Sequence, residues 1–198
     1  MKEVLTAQFL RERNACEEWL TRFEEAYPEG IEWTRENILS AIPMFRFVLS
    51  WPYVMSGQFE VDLTEENFYC ADLRSVMLRM ANLTGANLES ANLQMADLVG
   101  ANLFRASLRS ANLFRANFEF ANLSSADLTK ASLYGADFRN ADLSYANLSG
   151  AYLNSVDLTG ANMRGANLTG ADLRGVNLRQ TNVFGATFYG ALVDGIVL

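Results

Sequence analysis

The side chains best equipped for chemistry are seven carboxylates: Asp72, Asp97, Asp127, Asp137, Asp142, Asp157 and Asp172. Paired carboxylates can divide general acid and base roles or hold a hard cation. They have no histidine to work with, because the chain contains none. That removes the usual general base, the commonest metal ligand and every Ser-His or Cys-His dyad. The two cysteines, Cys16 and Cys70, lie in different segments and match no metal or redox spacing. Gly150, Gly160, Gly165, Gly170, Gly175, Gly185, Gly190 and Gly195 superficially resemble a phosphate-binding loop. No Gly-Lys-Ser or Gly-Lys-Thr follows them, and no strand-to-helix context surrounds them, so nucleotide binding is rejected.

Carboxylates and glycines instead fill fixed slots in a larger pattern. From Val61 to Gly195 the chain runs in 27 consecutive quintets of the form Ala-(Asn or Asp)-Leu-x-x, as in Ala81-Asn82-Leu83, Ala86-Asn87-Leu88 and Ala171-Asp172-Leu173. The aspartates stand where other quintets carry Asn, and the glycines take the fifth place. An interchangeable slot facing solvent is poor ground for a catalytic pair, so the chain is read as a non-enzyme with no cofactor.

A period of five suits neither a helix, with its spacing of 3.6, nor a simple strand, with its spacing of 2. It suits a chain that turns a corner every five residues and points two of each five side chains inward. The central Leu fills the interior, and the Ala two places earlier is small because it points in near a corner. The other places hold Asn, Asp, Ser, Thr, Arg and Gly, which favour water or turns. One quintet buries too little to stand alone, so neighbours must stack on it.

These quintets resemble the pentapeptide-repeat family over residues 61–195. The resemblance implies a right-handed, four-sided β-helix with one quintet per side, 20 residues per coil and about seven coils. At a strand spacing of roughly 4.8 Å such a tower is about 30–34 Å long. Folding the sequence by twenties places Phe68 and Phe188 on one side and Phe118 and Phe138 on the opposite one, away from the side that holds Met163 and Val183. The quintets depart from type near the ends, at Val76-Met77-Leu78, Ala186-Thr187-Phe188 and Ala191-Leu192-Val193, as terminal repeats commonly do.

Residues 1–57 carry no quintets and read as a small α-helical N-terminal domain ahead of the β-helix at 58–198. Val4, Leu5, Phe9, Ala15, Trp19, Leu20 and Phe23 give helical spacing from Glu3 to about Ala26, and Pro28-Glu29-Gly30 would end it. Thr34 suits the cap of a second helix. Pro43 suits the first turn of a short third one, stopped by Pro52. Either this segment covers the open backbone edge of the first coil, or it binds a partner, or both. The apolar stretch 38–55 contains Arg46, Pro43 and Pro52, which argue against a membrane span. No secretory leader is legible after Met1-Lys2-Glu3, so a cytoplasmic location is expected and the Asn-Leu-Thr and Asn-Leu-Ser sequons, such as Asn82-Leu83-Thr84, are taken as by-products of the repeat.

The net charge of −7 argues against nonspecific nucleic-acid binding. Specificity should lie in the variable fourth and fifth places of each quintet. The coil from Ala101 to Phe120 is richest in residue types that anchor protein interfaces, with Phe104, Arg105, Arg109, Phe114, Arg115 and Phe120, and Tyr134 falls directly above Phe114. Tyr189, Leu192, Ile196 and Leu198 form an apolar C-terminal end that could meet a second copy end to end. Two functions remain open: a non-catalytic scaffold or regulatory adaptor for an unidentified protein partner, or a DNA-mimic inhibitor or protector of DNA gyrase or a related topoisomerase, as some members of the family are. Duplex DNA carries one charge per ~1.7 Å, on the order of 20 over about 33 Å. The quintet region has 13 Asp and Glu against 10 Lys and Arg, which favours the scaffold.

Overall fold

The structure, a computed structural model, describes residues 62–196 together with two short segments, 4–5 and 31–32. The chain divides into two units, Met1–Phe45 and Arg46–Leu198. In the first, strand β1 (Val4–Leu5) pairs antiparallel with β2 (Ile31–Glu32), with Val4 opposite Glu32 and Leu5 opposite Ile31. This corrects the expectation of a helix starting at Glu3. Val4 and Ile31 are β-branched and suit a pleated strand, and the backbone of β1 finds its partners across the pair instead of four residues along. The rest of that expected helix, and those after Thr34 and Pro43, lie outside the described residues.

The second unit holds a β solenoid with one quintet per side and 20 residues per coil. The second residue of each quintet forms a parallel bridge with the residue 20 places on, from Asp62 with Asn82 to Asp172 with Leu192. Backbone hydrogen bonds run both ways between coils: the Leu63 N–H donates to the Asn82 carbonyl at 2.7 Å, and the Asn87 N–H to the Glu66 carbonyl at 2.8 Å. The first side carries quintets 61–65, 81–85 and every twentieth residue on; the second begins at 66–70, the third at 71–75 and the fourth at 76–80.

Each corner is a four-residue turn. The Ala71 N–H reaches back to the Phe68 carbonyl at 2.9 Å, and this bond recurs from quintet to quintet. The fifth residue of all 27 quintets has a positive φ, at 11 glycines and 16 other residues. A positive φ at the third turn position marks a type II turn and explains why glycine recurs there. Gly165 answers a second demand, because a Cβ there would lie 2.7 Å from the Tyr145 ring of the preceding coil.

The second residue closes the turn from outside. Asn82 Oδ1 accepts the Thr84 N–H at 3.2 Å, and Asn122 Oδ1 accepts the Ser124 N–H at 3.0 Å. Asn side chains also bond one another between coils, as Asn122 Nδ2 does to Asn102 Oδ1 at 3.0 Å. All seven aspartates of the sequence pattern accept the same N–H two residues on, at 2.9 to 3.3 Å. They are turn acceptors in an asparagine slot.

Inside, the Ala and Leu positions of the middle coils are sealed from solvent, Leu123 at 0% and Ala121 at 1%. Burial of each Leu contributes roughly 1.5–3 kcal/mol. Phe118 and Phe138 stack on consecutive coils, 4.7 Å between centroids and 7° between planes. The two ends differ. Leu63, Phe68, Leu73 and Leu78 of the first coil are buried, whereas Val183 and Phe188 of the last are partly exposed and Val193 is exposed.

Replacing an inward residue should cost far more than replacing its outward neighbour. Leu123→Ala is expected to lower unfolding stability by about 2–5 kcal/mol. Ser124→Ala, which removes only the hydroxyl bond to Asn122 at 2.6 Å, should cost about 0.5–1.5 kcal/mol. Denaturant titration of both variants checks the ordering. Acid should act through Asp172. The hydrogen bond from Arg174, reinforced by the Arg174 backbone N–H and Asn154, holds this nearly covered carboxyl at about 2, below its ordinary 3.8, against the opposing effect of burial. A depressed carboxyl contributes stability that is present above the ordinary value and is lost as pH falls through about 2. Melting of the wild type should therefore fall more steeply than that of Asp172→Asn between about pH 4 and pH 2; parallel curves would contradict the assignment.

Candidate protein-contact surface

The turn that closes each corner also aims its two outward side chains. Asn102 Oδ1 accepts the Phe104 N–H and Asn112 Oδ1 the Phe114 N–H, both at 3.2 Å, which fixes the fourth residue. The left-handed fifth residue follows, with φ of 57° at Arg105 and 53° at Arg115. The two are thereby folded onto each other. The Arg105 guanidinium lies 4.9 Å from the Phe104 ring centroid, and that of Arg115 lies 5.1 Å from the Phe114 ring. Such contacts contribute about 0.5–1 kcal/mol at exposed sites, and they hold long side chains in one arrangement.

The residues singled out between Phe104 and Phe120 do not form one patch. They span a single 20-residue coil and are distributed around its perimeter. Phe104 and Arg105 lie on the first side, Arg109 on the second, Phe114 and Arg115 on the third, and Phe120 on the fourth. Phe104 and Phe114, ten residues apart, face opposite directions. Phe104 and Arg105 form a pair, and Phe114, Arg115 and Tyr134 a trio, with the Phe114 and Tyr134 rings stacked at 5.8 Å and 9°. Phe120 is exposed by itself. Arg109 is engaged within the tower, its Nη1 2.9 Å from Asp127 Oδ2. Burial pushes the Asp127 carboxyl up, but hydrogen bonds from Thr129 and Arg109 outweigh it and leave the group below its ordinary range.

Several exposed apolar residues escaped the sequence reading. Met95 and Tyr152 belong to the third side with Tyr134, while Met80 lies on the fourth and Tyr145 on the first. A bulky residue in a fifth place is the signal that could have found Met80, Met95 and Tyr145. Tyr152 occupies the second place of its quintet, where Asn or Asp usually stands. Near the C-terminal end, Tyr189 and Leu192 are exposed and Ile196 is partly so, while Leu198 lies outside the described residues. Phe184 and Val193 extend that apolar end, and Arg164 lies 5.7 Å from the Phe184 ring.

About half of the surface charges are consumed in pairs, five of the ten cations of the quintet region among them. Arg74 binds Asp72, Arg79 binds Asp97, Arg139 binds Asp137 and Glu119, and Arg174 binds Asp172, at 2.7 to 3.3 Å. Carboxylates and cations number three against two on the first and second sides, three against three on the third, and four against three on the fourth. Among the described residues no cluster of carboxylates and thiols is arranged to hold a metal ion, and no helix is long and apolar enough to cross a membrane. Cys70 is an exposed free thiol at a corner, and Cys16 lies outside the described residues.

Comparison with known proteins bears on this geometry. The profile of the pentapeptide repeats matches residues 67–103, 106–144, 121–160, 146–183 and 161–198. No curated protein matches the chain. Among solved structures, the chain is similar to HetL, a pentapeptide repeat protein involved in heterocyst differentiation regulation from the cyanobacterium Nostoc sp. strain PCC 7120. That match has 32% identity, covers 69% of this chain and 74% of HetL, and has a TM-score of 0.41. It is similar to a pentapeptide repeat protein of the Arabidopsis thaliana thylakoid lumen, with 32% identity, coverage of 50% and 59%, and a TM-score of 0.26. It also matches QnrB1, a plasmid-mediated fluoroquinolone resistance protein, with 21% identity, 68% of each chain and a TM-score of 0.39. With the repeat profile matched over most of its length and its quintets folded into 20-residue coils, the chain belongs to the pentapeptide repeat family.

Proposed function

We propose that this protein is a non-catalytic scaffold or regulatory adaptor whose outward aromatic and arginine side chains hold a partner protein. The observation that carries the reading is the ordered trio of Phe114, Arg115 and Tyr134, two stacked rings with a guanidinium over one of them. Aromatic and arginine side chains dominate interface energetics, and fixing them beforehand lowers the entropy lost on binding. The cytoplasm is the compartment this reading assumes, where an exposed thiol such as Cys70 stays reduced. The apolar residues Tyr189, Leu192, Val193 and Ile196 support a further contact at the C-terminal end, and end-to-end pairing of two copies would appear as a doubled mass in concentration-dependent light scattering.

The charge arrangement favours this reading over DNA mimicry. A duplex mimic needs an acidic face, yet carboxylates exceed cations by at most one on any side and six of them are bound to arginine. The protein is accordingly expected to leave DNA supercoiling by purified gyrase unchanged; inhibition relieved by added duplex DNA would restore the mimic.

The scaffold reading is tested with the double variant Phe114→Ser, Arg115→Ser. Both changes fall at outward positions, so the melting curve should remain within about 1 kcal/mol of wild type in stability. Affinity for the partner recovered by full-length protein should fall at least about tenfold, equivalent to about 1.4 kcal/mol. Retained affinity would remove this surface from consideration. Recovery of the partner by full-length chain but not by residues 58–198 would move recognition to the N-terminal segment.

A further inference from the structure

We propose that the middle of the third side is the docking surface for an acidic, apolar segment of a partner protein, bound across the coils as an extended peptide. This rests on the protein-binding reading above and specifies the chemistry of what is bound. Two independent features meet there. The first is a cluster of exposed apolar groups on four successive coils: Met95 at 60% exposure, the half-buried Phe114, Tyr134 at 47% and Tyr152 at 55%. The bridges Asn112 with Ser132 and Ser132 with Tyr152 place these coils in direct succession. Over the same height the second side exposes no large apolar residue, and the first and fourth expose one each, Tyr145 and Phe120.

The second feature is charge. Quintets 91–95, 111–115, 131–135 and 151–155 contain no Asp or Glu, while each other side carries at least one over this height: Asp142 on the first, Glu89 and Asp127 on the second, and Asp97, Glu119, Asp137 and Asp157 on the fourth. Arg115 is the one charged residue of the four quintets. Like Arg105, Lys130, Arg164 and Arg179 on the other sides, it forms no ion pair among the described residues, whereas Arg74, Arg79, Arg109, Arg139 and Arg174 each hold a carboxylate. Its neighbour in the next coil is Gly135, where an added Cβ would lie 3.4 Å from Arg115 Cγ, so the stem is left uncovered on that flank.

A cation without its own carboxylate, beside apolar rings and two tyrosine hydroxyls, complements a carboxylate flanked by apolar side chains. The rings exclude water from the ion pair and strengthen it. The surface covers three coil-to-coil steps, about 14 Å at ~4.8 Å each, which matches about four residues of extended chain at ~3.3 Å per residue. Arg and stacked rings also suit single-stranded nucleic acid, but one cation on a chain of net charge −7 opposes a polyanion.

The test titrates full-length protein with labelled twelve-residue peptides in which Glu is interspersed with Leu and Phe. The same peptides with Gln or Lys in place of Glu, and a twelve-nucleotide oligothymidylate, are measured alongside. The Glu peptides are expected to bind at least about tenfold more tightly than the Gln or Lys forms. Arg115→Glu, and separately Tyr134→Ser with Tyr152→Ser, should each weaken them at least about tenfold. Phe104→Ser with Arg105→Ser, on the opposite side, should leave binding and melting unchanged. Equal affinity for Glu and Gln peptides, loss of binding in the opposite-side variant, absence of any peptide binding, or preference for the oligothymidylate would each overturn the inference. A photo-crosslinking residue at Gln94 on the third side or Ser124 on the first separates this inference from the wider reading. Partner cross-links at Ser124 and none at Gln94 would overturn the docking site and leave the scaffold standing, and cross-links at neither would count against both.

Discussion

Everything in the tower depends on a corner that can be turned every five residues. The turn needs a left-handed residue at its third position and an outside acceptor for the N–H of its second. The repeat supplies both, through the fifth residue of one quintet and the Asn or Asp two places before the turned N–H. Left-handed backbone disfavours residues with a Cβ, yet 16 of the 27 corners are not glycine. The conformation is imposed there by bonds the coil makes on either side of it, such as the Arg115 N–H to the Tyr134 carbonyl at 3.0 Å. The strain is distributed along the edges of the tower, where outward side chains are displayed.

Much of this was legible in the sequence because the constraint is periodic. A closed coil of four equal sides repeats every twenty residues, so sequence position alone assigns a side and predicts that Phe118 and Phe138 share one column, where they stack. Inward and outward positions follow from the same count. What the count did not deliver was the shape of a surface patch. Phe104, Arg109, Phe114 and Phe120 are close in sequence and so suggest one site, but closeness along the chain means dispersal around the perimeter. Neighbours on a face are twenty residues apart, and Tyr152 joins Phe114 and Tyr134 only when read that way. The strand Val4–Leu5 was missed for a different reason. Apolar residues at helical spacing do not exclude a two-residue strand at one end, and its partner Ile31–Glu32 is remote in sequence.

The aspartates show how the fold uses chemistry that elsewhere would signal a catalytic site. An Asn in the second place accepts from its own turn and donates to the neighbouring coil. An ionised Asp can only accept, so it fits the turn and interrupts the amide ladder. The sequence compensates close by. Arg74, Arg139 and Arg174 stand two residues after their aspartates, and Arg79 and Arg109 reach theirs from the preceding coil. Thr129 and Thr159 add hydroxyl donors to Asp127 and Asp157.

That local compensation has a consequence for recognition. A carboxylate held by its own arginine presents little field to a partner, and the arginine is equally withdrawn from interfaces. Together with the near balance of the remaining charges on each side, such pairing makes four nearly neutral sides that attract neither polyanions nor polycations strongly over a distance. Affinity must then come from places where the compensation is incomplete and apolar surface is left exposed. The third side meets both conditions at Arg115, with Met95, Tyr134 and Tyr152 around it. Because the backbone there is the same as on the other sides, the difference lies wholly in a few outward side chains, so the surface can change by substitution without disturbing the coils beneath it.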